Sequence, residues 1–60
     1  MTWQDRVKVE LEELSDKLSR LNAFLDDDAF EELDADAKYW LLRQKLAMTE
    51  YKVILECRLT

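Results

Sequence analysis

The 60-residue chain predicts an all-α fold, a helical hairpin that pairs into a four-helix bundle, and three observations predict it. Val7, Leu11, Leu14, Leu18, Leu21 and Leu25 follow one another at spacings of four and three, which places all six on one stripe of a helix. Glycine and proline are both absent, which favours long helices and withholds the turn chemistry that a β-rich fold needs. A second segment of helical spacing carries apolar residues on two faces, more than one neighbour in a hairpin can cover.

The first helix is expected over about 3–25. Thr2 and Asp5 have the spacing of a capping box, with Asp5 in the place more often held by Glu. Val7, Leu14 and Leu21 take d positions of a heptad, and Leu11, Leu18 and Leu25 take a positions. Arg6/Glu10, Glu13/Lys17 and Asp16/Arg20 are opposite charges four apart and mark the solvated side. Trp3 and Phe24 widen the apolar stripe at its two ends.

Asp26, Asp27 and Asp28 stop this helix, because acids at a C-terminus oppose the helix dipole and Asp is a poor helix former. A short helical turn is expected over 29–33, with Phe30 and Leu33 tucked over the end of the hairpin. Asp34 is placed to cap a second helix over about 35–58, with Asp36 favourable in its first turn. The inward stripe of that helix reads Ala37, Leu41, Gln44, Met48, Tyr51 and Leu55, flanked by Trp40, Ala47 and Ile54. The hairpin core is therefore expected from Val7, Leu11, Leu14, Leu18, Leu21, Leu25, Leu41, Gln44, Met48, Tyr51 and Leu55. Tyr39, Leu42, Leu46 and Val53 form the second apolar line and are the expected oligomer interface. Residues 1–60 thus make one domain, and a homodimer or higher assembly supplies the burial that so short a chain lacks alone.

Charge is segregated along the chain. Residues 26–36 hold seven acids and no base, whereas residues 37–60 hold five bases and two acids, against an overall net charge of −5. Asp26, Asp27, Asp28, Glu31 and Glu32 are the candidate contacts for a partner protein with a basic surface. A row of carboxylates could also imitate phosphates and block a DNA-binding protein. The run lacks the alternating pattern of an EF-hand, and its simplest role is to stop and cap helices. Lys38, Lys45 and Lys52 lie one heptad apart on one edge, but an acidic chain without an Arg-rich stripe makes nucleic acid a poor partner.

Several classes of chemistry fall away. No histidine is present and Cys57 is the single cysteine, so Cys₂His₂ zinc sites, CxxC redox pairs and Cys–His catalysis are all excluded. The lack of glycine removes Rossmann and P-loop phosphate cradles. The expectation is a non-enzyme with no catalytic residues, no metal and no cofactor. Neither a secretory leader nor a membrane span is visible, and a lone cysteine suits a reducing compartment, so the expected location is cytoplasmic. Gln44 and Tyr51 interrupt the inward stripe with polar groups. A hydrogen bond between them, or one across subunits, would fix register, and with Trp40 and Met48 they could line a small-ligand pocket.

The pattern Leu21, Phe24, Leu25, Phe30, Leu33, then Leu41, Leu42, Gln44, Met48, Tyr51, Ile54, Leu55 and Arg58 resembles small helical accessory proteins of tailed bacteriophages. The similarity is to those encoded in the exo–xis early region of lambdoid phages, and it covers about the last two thirds of the chain. It implies an all-helical, oligomeric protein expressed early in phage growth, of a kind linked to altering host processes or the balance of lysis and lysogeny. The expected function is then non-enzymatic, by binding a host or phage protein with a basic surface. No site residues carry over. A second resemblance is to the Rop family of helical-hairpin dimers. It rests on the opening Met1-Thr2-x-Gln4 and on Glu32-Leu33-Asp34-Ala35-Asp36 at the start of the second helix. That resemblance implies the dimeric architecture, with nucleic-acid binding as the alternative function. Glu10, Glu13 and Lys17 stand where the polar and aromatic RNA face of that family would be, and the Asp26–Glu32 elbow departs from its turn.

Overall fold

The computed structural model describes residues 2–60; Met1, which opens the Rop-like segment, lies outside them. Three helices follow in order: α1 (Trp3–Leu25), α2 (Asp28–Glu31) and α3 (Ala35–Arg58). The long helices α1 and α3 fold back on one another as a hairpin measuring 44 × 15 × 14 Å, with α2 at the elbow. No helix among the described residues is long and apolar enough to cross a membrane.

Each helix begins on a side chain that takes a free backbone donor. The Thr2 hydroxyl accepts from the Asp5 N–H at 3.2 Å, and the Asp5 carboxylate accepts from the Thr2 N–H at 3.3 Å, closing the capping box. Asp34 Oδ1 accepts from the Ala37 N–H at 2.8 Å and starts α3. Asp27 Oδ1 accepts from the Ala29 N–H at 2.9 Å, so the short helix begins at Asp28, one residue earlier than the sequence suggests. It also ends earlier, at Glu31, and Leu33 closes only a turn, its N–H donating to the Phe30 carbonyl at 3.1 Å.

No described residue has positive φ. The C-cap residues Asp26, Glu32 and Leu59 all stay in the right-handed helical region, so the chain reverses through short capped segments without a left-handed residue. A chain without glycine can therefore make this elbow at no steric cost.

The core runs along one side of each long helix. Val7, Leu14 and Leu55 pack together, with Leu11, Met48 and Leu59 half-buried against them, and Leu18 is buried further along α1. The first half of α1 thus meets the last half of α3, as an antiparallel hairpin requires. Leu21, Leu25 and Leu41 are half-buried towards the elbow. Two positions assigned to the core by spacing lie outside it: Gln44 and Tyr51 are exposed. Both sit on the shoulder of the inward stripe, where a two-helix hairpin leaves room for a polar head to reach solvent. The three charge pairs expected on α1 do not close either. Among the described residues the one salt bridge is Lys38–Glu31 at 3.5 Å, and Arg20 Nε donates to the Asp16 carbonyl oxygen at 3.4 Å.

Candidate interaction surface

The outer face of α3 follows from helix geometry. Leu46 lies nine residues before Leu55, about two and a half turns, and so points about 180° away from it. Leu55 is fully buried and Leu46 is 63% exposed. Tyr39, Leu42 and Val53 fall near Leu46 on the same face and are also exposed. Arg43 and Glu50 lie on one flank of this line, and Thr49 on the other. These residues and Ala47 shape a shallow open groove of about 590 Å³, lined by Arg43, Leu46, Ala47, Thr49, Glu50 and Val53. All six belong to α3, so the groove is one wall of a site and the hairpin does not close it. The Thr49 hydroxyl is occupied, donating to the Lys45 carbonyl at 2.8 Å.

This groove differs from the pocket expected around Trp40, Gln44, Met48 and Tyr51. Trp40 is 65% exposed and stacks edge-on against Tyr39, their ring centroids 5.0 Å apart. The Gln44 amide approaches the Met48 sulfur at 3.7 Å. The Tyr51 hydroxyl donates to Glu10, the one side-chain hydrogen bond between α1 and α3 among the described residues. That bond holds the Tyr51 phenol above its ordinary value, with partial desolvation and the Glu10 charge adding and Arg58 opposing. The expected Gln44–Tyr51 bond is therefore replaced by one between helices, which pins the register of the hairpin.

The elbow is built on aromatic and charged contacts. Phe24 and Phe30 meet edge to face with centroids 6.4 Å apart, and Lys38 Nζ sits 5.7 Å from the Phe30 ring centre while pairing with Glu31. Asp26, Asp27, Asp28, Glu31 and Glu32 are all exposed. Asp27 is committed to capping and Glu31 to Lys38, which leaves Asp26, Asp28 and Glu32 facing solvent. Of the basic edge, Lys38 and Lys52 are half-buried and Lys45 is exposed.

Sequence reasoning missed some contributors to these surfaces. Leu59, just past the end of α3, joins the core, and its spacing of four from Leu55 was the available signal. Arg43 and Glu50 also line this face, and in sequence a charge beside an apolar line gives no signal beyond that of a solvated edge. Trp40 and Ile54, expected as flanks of the inward stripe, are both exposed.

A family model described as Sequestin matches residues 1–60, the whole chain. No curated protein and no solved structure matches it.

Proposed function

We propose, from the premise that the chain belongs to the Sequestin family, that it is a non-enzymatic accessory protein acting by capture. It holds a target stoichiometrically and so withholds it, in keeping with the sense of the family's name. The resemblance to early-region phage proteins makes the target a component of host processes or of phage development. The observation that carries this reading is the outer face of α3, where large apolar side chains stand exposed beside a few charged groups. Contiguous apolar surface on a small protein marks a place of association. The sequence has no histidine to pair with a nucleophile, and Cys57 lies exposed near the end of α3.

Two kinds of target fit this surface. The first is a protein, seated on the apolar face or drawn by the acidic elbow. The second is a small molecule, and the groove favours it specifically: Arg43, Thr49 and Glu50 set among Leu46, Ala47 and Val53 give the few polar groups on an apolar wall that small-molecule sites use. Purifying the protein from phage-infected host cells and denaturing it separates the two. Mass spectrometry finding one small molecule released per site, with Arg43→Ala abolishing it, supports the second target. A protein retained by the wild type and lost on Leu46→Lys, or on neutralising Asp26, Asp28 and Glu32, supports the first. Protein that carries neither, and shows no ligand-dependent rise in melting temperature, overturns capture.

A further inference from the structure

We infer that the outer face of α3 is covered by a second copy of the same chain, running antiparallel, with the two-fold axis passing beside Leu46. The inference rests on the capture reading and narrows it: with Leu46 and Val53 covered by the second copy, a small molecule is held between the two facing walls of the groove, and a protein target is left to the acidic elbow. Three observations converge on this occupant and this direction. The apolar line Tyr39, Leu42, Leu46 and Val53 lies opposite the hairpin core, so a second hairpin can be added without disturbing the first. Its charged flank is self-complementary: Asp36, Arg43, Glu50 and Arg58 follow one another along one side of α3 in the order acid, base, acid, base. The ends of the hairpin also differ in charge, with seven acids and no base over residues 26–36 at the elbow and two acids balanced by two bases over residues 49–60 at the far end of α3.

An antiparallel two-fold centred on Leu46 satisfies all three at once. Leu46 meets Leu46 of the second copy, and Tyr39 meets Val53. Arg43 comes level with Glu50 to within about one residue, roughly 1.5 Å along the axis. Asp36 comes beside Arg58, and symmetry repeats both pairs, as the isologous interface of a closed dimer requires. All four of these charged residues are exposed in the hairpin. Each acidic elbow then lies beside the charge-balanced far end of the other copy's α3, away from the other elbow. A parallel arrangement would instead set the two elbows side by side and leave fourteen carboxylates at one end. On the other flank the lysine edge meets itself, Lys45 approaching its own copy near the axis and Lys38 approaching Lys52 of the second copy, and the long stems can carry these ammoniums to solvent.

Cys57 reports on this geometry directly. It falls on the same face, eleven residues beyond Leu46, so the two copies of Cys57 lie about 33 Å apart in the antiparallel dimer at about 1.5 Å per residue. The residue facing Cys57 is Ala35. With a mild oxidant, the wild type should stay unlinked while Ala35→Cys forms a disulfide-linked dimer through Cys57 of the second copy.

The test combines that experiment with sedimentation equilibrium of the full chain, with helicity followed by circular dichroism to establish that each variant folds. The wild type is expected to be a dimer. Glu50→Arg should raise the dimer dissociation constant about tenfold or more, as two lost attractions become repulsions. Adding Arg43→Glu should restore it to within about threefold. A monomeric wild type overturns the inference, as does a wild type that cross-links through Cys57, which marks the parallel dimer. A folded, dimeric Ala35→Cys that does not cross-link overturns the register. Sedimentation needs no target, so a monomer that still retains its target would remove the dimer and leave capture standing.

Discussion

The two long helices are nearly equal in length, 23 residues in α1 and 24 in α3, yet they are used differently. α1 buries Val7, Leu14 and Leu18, whereas α3 buries only Leu55. Of the ten large hydrophobic residues left exposed, seven belong to α3 and three to α1. The difference lies in how apolar residues are distributed around each helix. α1 carries one broad stripe backed by charge, and a single neighbour satisfies it. α3 carries apolar side chains on opposite sides, so a hairpin covers one line and leaves the other. One helix is thus finished by the hairpin and the other is not.

The comparison is most severely tested at its shared centre. Leu55→Ala removes the one fully buried large side chain, and an apolar truncation of this kind costs about 2–5 kcal/mol. In so small a fold that should abolish the cooperative thermal transition at every protein concentration, as seen by circular dichroism. A retained sharp transition would show that α1 and α3 do not depend on this contact. The same helix should behave oppositely on its outer side. Replacing Leu46 and Val53 together by Lys should leave helical content unchanged at high dilution and remove any concentration dependence of the melting temperature. Loss of helix in that variant would mean that the outer line supports the hairpin itself.

A smaller effect is expected at the start of α3. Asp34→Ala deprives the Ala37 N–H of its partner and should destabilise the fold by about 1 kcal/mol, measured by urea denaturation. The subtlest test addresses the bond that joins the two helices. The neutral Tyr51 phenol donates to Glu10, so its folded pKa is raised above 10.0. A raised pKa means that this contribution to stability is complete below the unfolded value near 10.0 and is lost as pH rises through the higher folded value. Absorbance titration should therefore show Tyr51 ionising at higher pH than it does in Glu10→Gln. Coincident titration curves for the two proteins would show that the Tyr51–Glu10 bond does not hold in solution.

Much of the architecture could be read before any coordinates, because helices announce themselves locally. Thr2, Asp5 and Asp34 mark helix starts by short-range hydrogen bonds that need only the right residue at the right spacing. Gln44 and Tyr51 show where such reading fails. Their spacing placed them on the inward stripe, but whether a polar head at the edge of a stripe is buried depends on how closely the opposing helix approaches. Tyr51 reaches Glu10, 41 positions away in sequence, and no periodicity encodes that meeting. Asp27 is a milder case: three consecutive aspartates could each have capped α2, and the backbone path through the elbow selected one.

The sequence by itself determined the hairpin, its helix caps and the fact that α3 is apolar on two sides, since these depend on residue type and on spacing within a few turns. Tertiary structure alone decided that Leu59 completes the core and that Tyr51 bonds to Glu10. Those features arise from distances between segments far apart in the chain. Periodicity fixes the direction in which a side chain leaves its helix, while packing fixes what it meets there.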